Sequence, residues 1–144
     1  RTQYLARGPS FVDELNGQFV LAIWSDEGRR VVLMNDRYGL RPVRYCLTDS
    51  AVFFGPESKV IFELSQMPKT LNRQWAEELL SVGRVHLGGE TLFEGVGVLP
   101  PGTILEWSGG KCRRSKYWDY TYDPVPSVDT PVINDLCGLL EQSV

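Results

Sequence analysis

Three cysteines, one histidine and a compact Asn-Asp-Arg turn carry most of the chemistry this sequence can offer. Cys46, Cys112 and Cys137 are the thiols, and a thiol does chemistry as a thiolate nucleophile or a metal ligand. Three residues so far apart show no metal-ligand spacing and are too few for a disulfide framework, so they read as reduced thiols. Cys46 falls in a predicted strand and Cys137 on the apolar face of a predicted C-terminal helix, so both are expected to be small core residues. Cys112 is expected to be the most exposed, with nothing beside it that marks a nucleophile. His86 is the only histidine. Its neighbours Val85, Leu87 and Gly88 give no nucleophile elbow for a Ser-His-Asp triad. Ser108-Gly109-Gly110 has the opening of a pyrophosphate-holding loop. Such a loop needs a strand before it and a helix after it, so that backbone N–H groups meet the phosphate. Here Lys111-Cys112-Arg113 continue as a second strand, and a β-turn is the reading.

Charged residues pose the sharper alternatives. Asp36 and Arg37 follow a strand directly, in a tight turn containing Gly39. The structural reading is an ion pair that fixes the turn; the functional one is direct contact with a substrate. Glu57 is either a bonded loop anchor near a domain interface or a catalytic acid. Lys111, Arg113, Arg114 and Lys116 are either a phosphate-contacting patch or a charged edge strand that resists aggregation. The cluster has no interleaved aromatics, and the chain's net charge is −3, which favours the edge strand.

The elements that must position these groups are legible in the pattern. With 144 residues, 42% hydrophobic and 23% charged, the chain can bury the core of one ordinary domain. No apolar run approaches the roughly 20 residues of a membrane helix, and no nucleic-acid or membrane partner is expected. Residues 2–7 are predicted helical, ended by Gly8-Pro9. Ser10 can cap a short second turn carrying Phe11, Val12 and Leu15. Residues 18–25 alternate Phe19, Leu21, Ile23 with Val20, Ala22, Trp24, apolar on both faces, so that strand should be covered on both sides. Residues 26–28 are a turn, and 30–34, 41–47 and 51–54 are further strands. Short strands at regular spacing predict an antiparallel meander in one sheet, joined by a hairpin over 103–118.

Helices are predicted over 58–64 and, capped by Asn72, over 73–82. Trp75, Leu79 and Val82 share one face of the second, and Gly83 ends it. Residues 121–131, with three prolines, read as a linker. Thr130-Pro131 is a helix start, followed by Ile133, Leu136 and Leu140 at helical spacing. A lone amphipathic turn buries no face of its own, so it is expected to open a following domain.

Several segments, in order, carry a family likeness. They are Leu15-Asn16-Gly17-x-Phe19; Asp36, Arg37, Gly39 and Pro42 of an Asp-Arg-x-Gly-x-x-Pro run; and Phe54, Glu57 and Lys59. Then come Leu92, Phe93, Gly95 and Val96; Pro100-Pro101-Gly102; and Tyr117-Trp118-Asp119. Each alone is weak. Together and in this order they resemble the C-terminal half of the glutaminase domain of the asparagine synthetase family, class II glutamine amidotransferases.

The resemblance implies an α+β fold: the antiparallel-sheet portion of a four-layer α/β/β/α sandwich with an N-terminal nucleophile. In that family an N-terminal Cys attacks the glutamine side-chain amide, and its own α-amine is the base. An Asn and a Gly form the oxyanion hole. Ammonia then passes to a second domain, where ATP has activated a carboxylate. None of those reacting residues can be placed here, so the chain is expected to be a mid-domain fragment without catalytic residues. Residues 1–120 would be the half-domain, 121–131 the linker, and 132–144 the start of a synthetase domain. That domain would bring ATP and magnesium; no cofactor is expected in this chain. The expected partners are the N-terminal half, the synthetase domain and, for the parent, glutamine, in the cytoplasm. A bare fragment is expected to self-associate through an uncovered face of the 19–24 strand. Gln18, Asp36, Arg37 and Glu57 are the candidates for the ammonia passage or the domain interface.

Where the family usually has Met after Asn-Gly, this chain has Gln18. Gly55-Pro56 and Val43-Arg44 also depart from the usual pattern. These changes leave room for a paralogue with another acceptor, such as a β-lactam or peptide-cyclising synthetase. A catalytically dead interaction module is the non-enzyme alternative.

Overall fold

A computed structural model describes residues 2–25, 29–83, 89–122 and 130–143. The expected turn at 26–28, His86, and residues 123–129 of the expected linker lie outside the described residues. The chain is α+β with antiparallel sheets.

Helix α1 (Thr2–Arg7) stops at Gly8, whose φ is 64°, and a 3-10 helix follows over Gly8–Glu14. Strands β1 (Val20–Ser25) and β2 (Arg30–Asn35) pair antiparallel, with Ala22 opposite Leu33. After β3 (Arg44–Leu47) and β4 (Val52–Gly55) comes α2 (Ser58–Ser65). Helix α3 (Arg73–Val82) is capped as its sequence suggests. Asn72 Oδ1 accepts the Trp75 N–H at 3.1 Å, and Gly83 closes it at φ 67°. The short β5 (Gly97–Val98), the hairpin β6 (Thr103–Ser108) and β7 (Lys111–Lys116), and α4 (Thr130–Ser143) complete the order.

The single meander is corrected. One sheet runs β1-β2-β6-β7, the other β4-β3-β5. A hairpin between β2 and β3 would call for a loop of about 2–5 residues. Residues 36–43 are longer, contain Pro42, and carry the chain into a second layer. The open edge of β2 is taken instead by β6, with Leu33 opposite Leu105.

Alternation then decides which side chain meets which layer. Leu33 on β2 and Leu105 and Trp107 on β6 pack with Tyr45 on β3 and with Val43 and Leu99, joining the two sheets. Val32 and Met34, on the opposite face of β2, pack with Phe11 and Val12 of the 3-10 helix. Cys46 packs with Ile61 and Phe62 of α2 and with Val96. Trp107 Nε1 donates to the Thr48 carbonyl at 3.2 Å, a polar tie between the sheets.

Strand β1 is half-covered on both faces. Val20 and Ala22 join the inter-sheet core, and Leu21 and Ile23 join the helical side. Of its apolar residues only Trp24 stands out, 72% exposed. Neither face of the strand is fully buried. What β1 leaves open among the described residues is its outer edge.

Cys137 is also corrected. It is exposed on α4, where Ile133, Leu136 and Leu139 are exposed as well. The helix is amphipathic, but this chain gives its apolar residues little cover. Cys46 is buried and Cys112 exposed, as their positions predict. No described helix is long and apolar enough to cross a membrane.

Candidate functional site

The end of β2 is a polar node inside an apolar core. Asn35 and Asp36 are each 1% exposed, and buried polar groups must find partners. Asp36 Oδ1 accepts the N–H groups of Tyr38 at 2.9 Å and Leu40 at 3.3 Å. Its Oδ2 accepts the Phe19 N–H at 3.3 Å. The Asp36 carbonyl accepts from Gly39 at 3.2 Å and from Gly102 at 2.9 Å. Asn35 Nδ2 donates to the Leu99 carbonyl at 3.0 Å, and the Tyr117 hydroxyl donates to the Asn35 carbonyl at 2.8 Å. Gly102 in turn accepts from the Tyr117 N–H at 2.8 Å. Four sequence segments thus meet at two residues, through their side chains and their main-chain carbonyls: the start of β1, the Asp36 turn, residues 99–102, and the end of the β6–β7 hairpin.

Three of the four candidate residues come together here. Gln18 precedes Phe19, whose main chain bonds Asp36 in both directions, and its side chain is exposed. Asp36 is the centre of the node. Arg37 lies beside it, but the expected Asp36–Arg37 ion pair does not form among the described residues. Both Asp36 oxygens face backbone N–H groups of its own turn and of β1. Arg37 Nη2 instead donates to the Asp13 carbonyl at 2.9 Å, fastening the 3-10 helix to the turn. Its Nε is buried and has no hydrogen-bond partner.

Glu57 lies elsewhere, exposed at the start of α2. It pairs with Lys59 at 2.8 Å, and that hydrogen bond holds its carboxyl below the ordinary range. Its carbonyl accepts the Val60 N–H at 3.2 Å in the first turn of α2. Sequence reasoning gave Asn35 and Tyr117 no role. The available signal was an amide at the inner end of an apolar strand, where it must find a partner.

The sequence profile of the glutamine amidotransferase domain matches residues 2–118. The chain belongs to that family. It is 33% identical to asparagine synthetase (glutamine-hydrolysing) 2 of Bacillus subtilis over 123 residues, covering 80% of this chain and 16% of that protein. The corresponding asparagine synthetase 3 of the same organism is 28% identical over 108 residues, covering 75% of this chain and 18% of the relative. An amidase of Gibberella zeae is 26% identical over 125 residues, covering 83% and 17% respectively. The chain therefore spans less than a fifth of the length of these relatives.

Neither strand thiol of this amidotransferase domain is set up to attack. Burial pushes the Cys46 thiol up, and desolvation also raises that of Cys112 against the opposing pull of Arg114. A nucleophilic thiol needs the opposite shift. Ser108-Gly109-Gly110 connects β6 to β7 with positive φ at both glycines, and no helix follows. It therefore does not fit a pyrophosphate-holding loop. Strand β7 is a sheet edge; Lys111 and Arg113 are exposed, and Lys116 pairs with Asp119 at 2.6 Å. That arrangement matches the protective use of charge at an edge.

Two phenols, the buried Tyr45 and the half-buried Tyr117, give the domain an alkaline limit. Desolvation raises Tyr45 and Tyr117 above the ordinary phenol value of about 10. An acid whose folded pKa is raised binds its proton more tightly when folded. The resulting stability is fully present below the unfolded pKa and is lost as pH rises through the folded one. Melting temperature is expected to hold steady up to about pH 9 and to fall above about pH 10. Tyr117→Phe should lower the plateau by about 1 kcal/mol through the lost bond to Asn35 and soften the alkaline fall. A fall that is identical in the Phe variant would remove Tyr117 from this account.

Proposed function

We propose that this domain is the C-terminal half of a class II glutaminase within a glutamine-dependent, ATP-dependent, amide-forming ligase resembling asparagine synthetase. The observation that carries the reading is the family match over residues 2–118, coupled with thiols that are not poised to react. The parent reaction would convert glutamine and water into glutamate and ammonia. A Cys outside this chain would attack the side-chain amide, and ammonia would leave for a second site. ATP with magnesium would activate the acceptor carboxylate in a following domain.

This chain's own part is positional. The Asp36 node holds the start of β1, and with it Gln18, at a fixed place relative to residues 99–102 and 117–118. Gln18 and Arg37 are the residues proposed to border the ammonia passage or the domain interface. Three core clusters support the four-layer sandwich: one between the sheets, one under the N-terminal helical segments and one under α2. The exposed apolar residues of α4 support its place in a following domain. The free thiols suit a reducing compartment such as the cytoplasm. A paralogue with another acceptor is the second reading, favoured by Gln18 and by the amidase among the relatives.

The 144-residue chain incubated with glutamine is expected to release no glutamate above background, unchanged by Cys46→Ser or Cys112→Ser. The full-length parent is expected to turn glutamine over. Turnover by the short chain that either serine variant abolishes would overturn the reading.

A further inference from the structure

We infer that Tyr38, Trp118 and Tyr120 form the seat for the domain that follows in the longer parent, an inference that rests on the parent reading above. The three rings make one patch. Tyr38 and Trp118 have centroids 5.2 Å apart, Trp118 and Tyr120 4.7 Å, and Tyr38 and Tyr120 6.1 Å. Yet Tyr38 is 57% exposed and Tyr120 74%. With Pro100, Pro101 and Arg37 they line a hollow of about 210 Å³.

The base of the patch is held firmly. Gly39 approaches so closely that a Cβ there would lie 2.8 Å from Pro101 Cγ. The Trp118 N–H donates to the Gly102 carbonyl at 3.3 Å. Exposed aromatic groups on a rigid base are the usual anchors of an interface. The surface that fits is apolar at its centre, with polar groups at its edge to meet the Lys116–Asp119 pair that also lines the hollow.

Chain continuity selects the occupant. The family match ends at Trp118, and the relatives are far longer than their matched part. A following domain tethered just past Tyr120 meets this patch at high effective concentration. A free partner or a second copy would lack that advantage.

Hydroxyl-radical footprinting of the full-length parent tests this without requiring a variant to fold. Tyr38 and Tyr120 are expected to oxidise at least about 5-fold more slowly than in the urea-unfolded protein, at every protein concentration. Oxidation near the unfolded rate would overturn the inference. So would protection that disappears on dilution to monomer, since that marks a second copy. In the full-length Tyr38→Ser/Tyr120→Ser variant, proteolysis within residues 121–131 should speed up about 5-fold, with Tyr→Phe at both sites restoring resistance. An unchanged cleavage rate would count against the seat. Absent glutamine hydrolysis with protection intact would instead fault the parent reading and leave the docking surface standing.

Discussion

Asp36→Ala is expected to cost the domain about 3–5 kcal/mol, a large share of a typical margin of roughly 5–15 kcal/mol. Three backbone N–H groups, from Phe19, Tyr38 and Leu40, lose their acceptor at once. Each unsatisfied donor costs about 1–3 kcal/mol, and those nearer the surface recover part of that from water. The damage is not confined to the turn, because the Phe19 bond ties β1 to the end of β2. Asp36→Asn should cost about half as much. Its amide keeps one oxygen for two of the donors, but it turns an NH₂ toward the third. Urea melts of both variants in the full-length protein read the difference. If Ala and Asn cost the same, counting acceptors does not explain the node. A loss below about 1 kcal/mol for Ala would mean that the turn holds without its carboxylate.

The local devices of this fold are visible in the residues themselves. Asn72 announces the start of α3 and Gly83 its end, because capping chemistry acts within a turn of the chain. The alternation in β1 correctly requires cover on both faces. It does not say which layer supplies that cover, and there the single-sheet expectation failed. The partner that closes β2 is β6, with Leu33 meeting Leu105, and nothing near either strand encodes that long-range pairing. The Asp36–Arg37 pair failed for a local reason. Adjacent opposite charges suggest each other, but the turn aims the carboxylate inward at backbone donors. Arg37 reaches back to Asp13 instead. The order of the family motifs was legible; their convergence on Asn35 and Tyr117 was not, since it takes the folded path to bring residues 99–102 and 117–118 to the end of β2.

Gly102 is the other position where one substitution should cost the domain heavily, and Gly102→Ala is expected to lose about 3–5 kcal/mol. Its φ of 59° is a left-handed conformation that costs an L-residue roughly 1–2 kcal/mol. A Cβ there would also run into the Trp118 carbonyl oxygen, with the Trp118 carbonyl carbon at 3.2 Å and Cβ at 3.3 Å. Backbone does not swing aside as a flexible side chain does. Moving Trp118 away would stretch the bonds from Tyr117 and Trp118 to the Gly102 carbonyl. Moving Gly102 would break its bond to Asp36, 2.9 Å long. Either way the polar node opens. Gly109 provides the control: its φ is 54°, yet a Cβ there meets nothing within 4 Å. Gly109→Ala should therefore show only the conformational cost, about 1–2 kcal/mol. Thermal melts of the two alanine variants, side by side, separate strain from close approach. Equal losses at the two positions would show that the contact with Trp118 relaxes freely, and that the crossing of residues 102 and 118 is not what locks the end of β2.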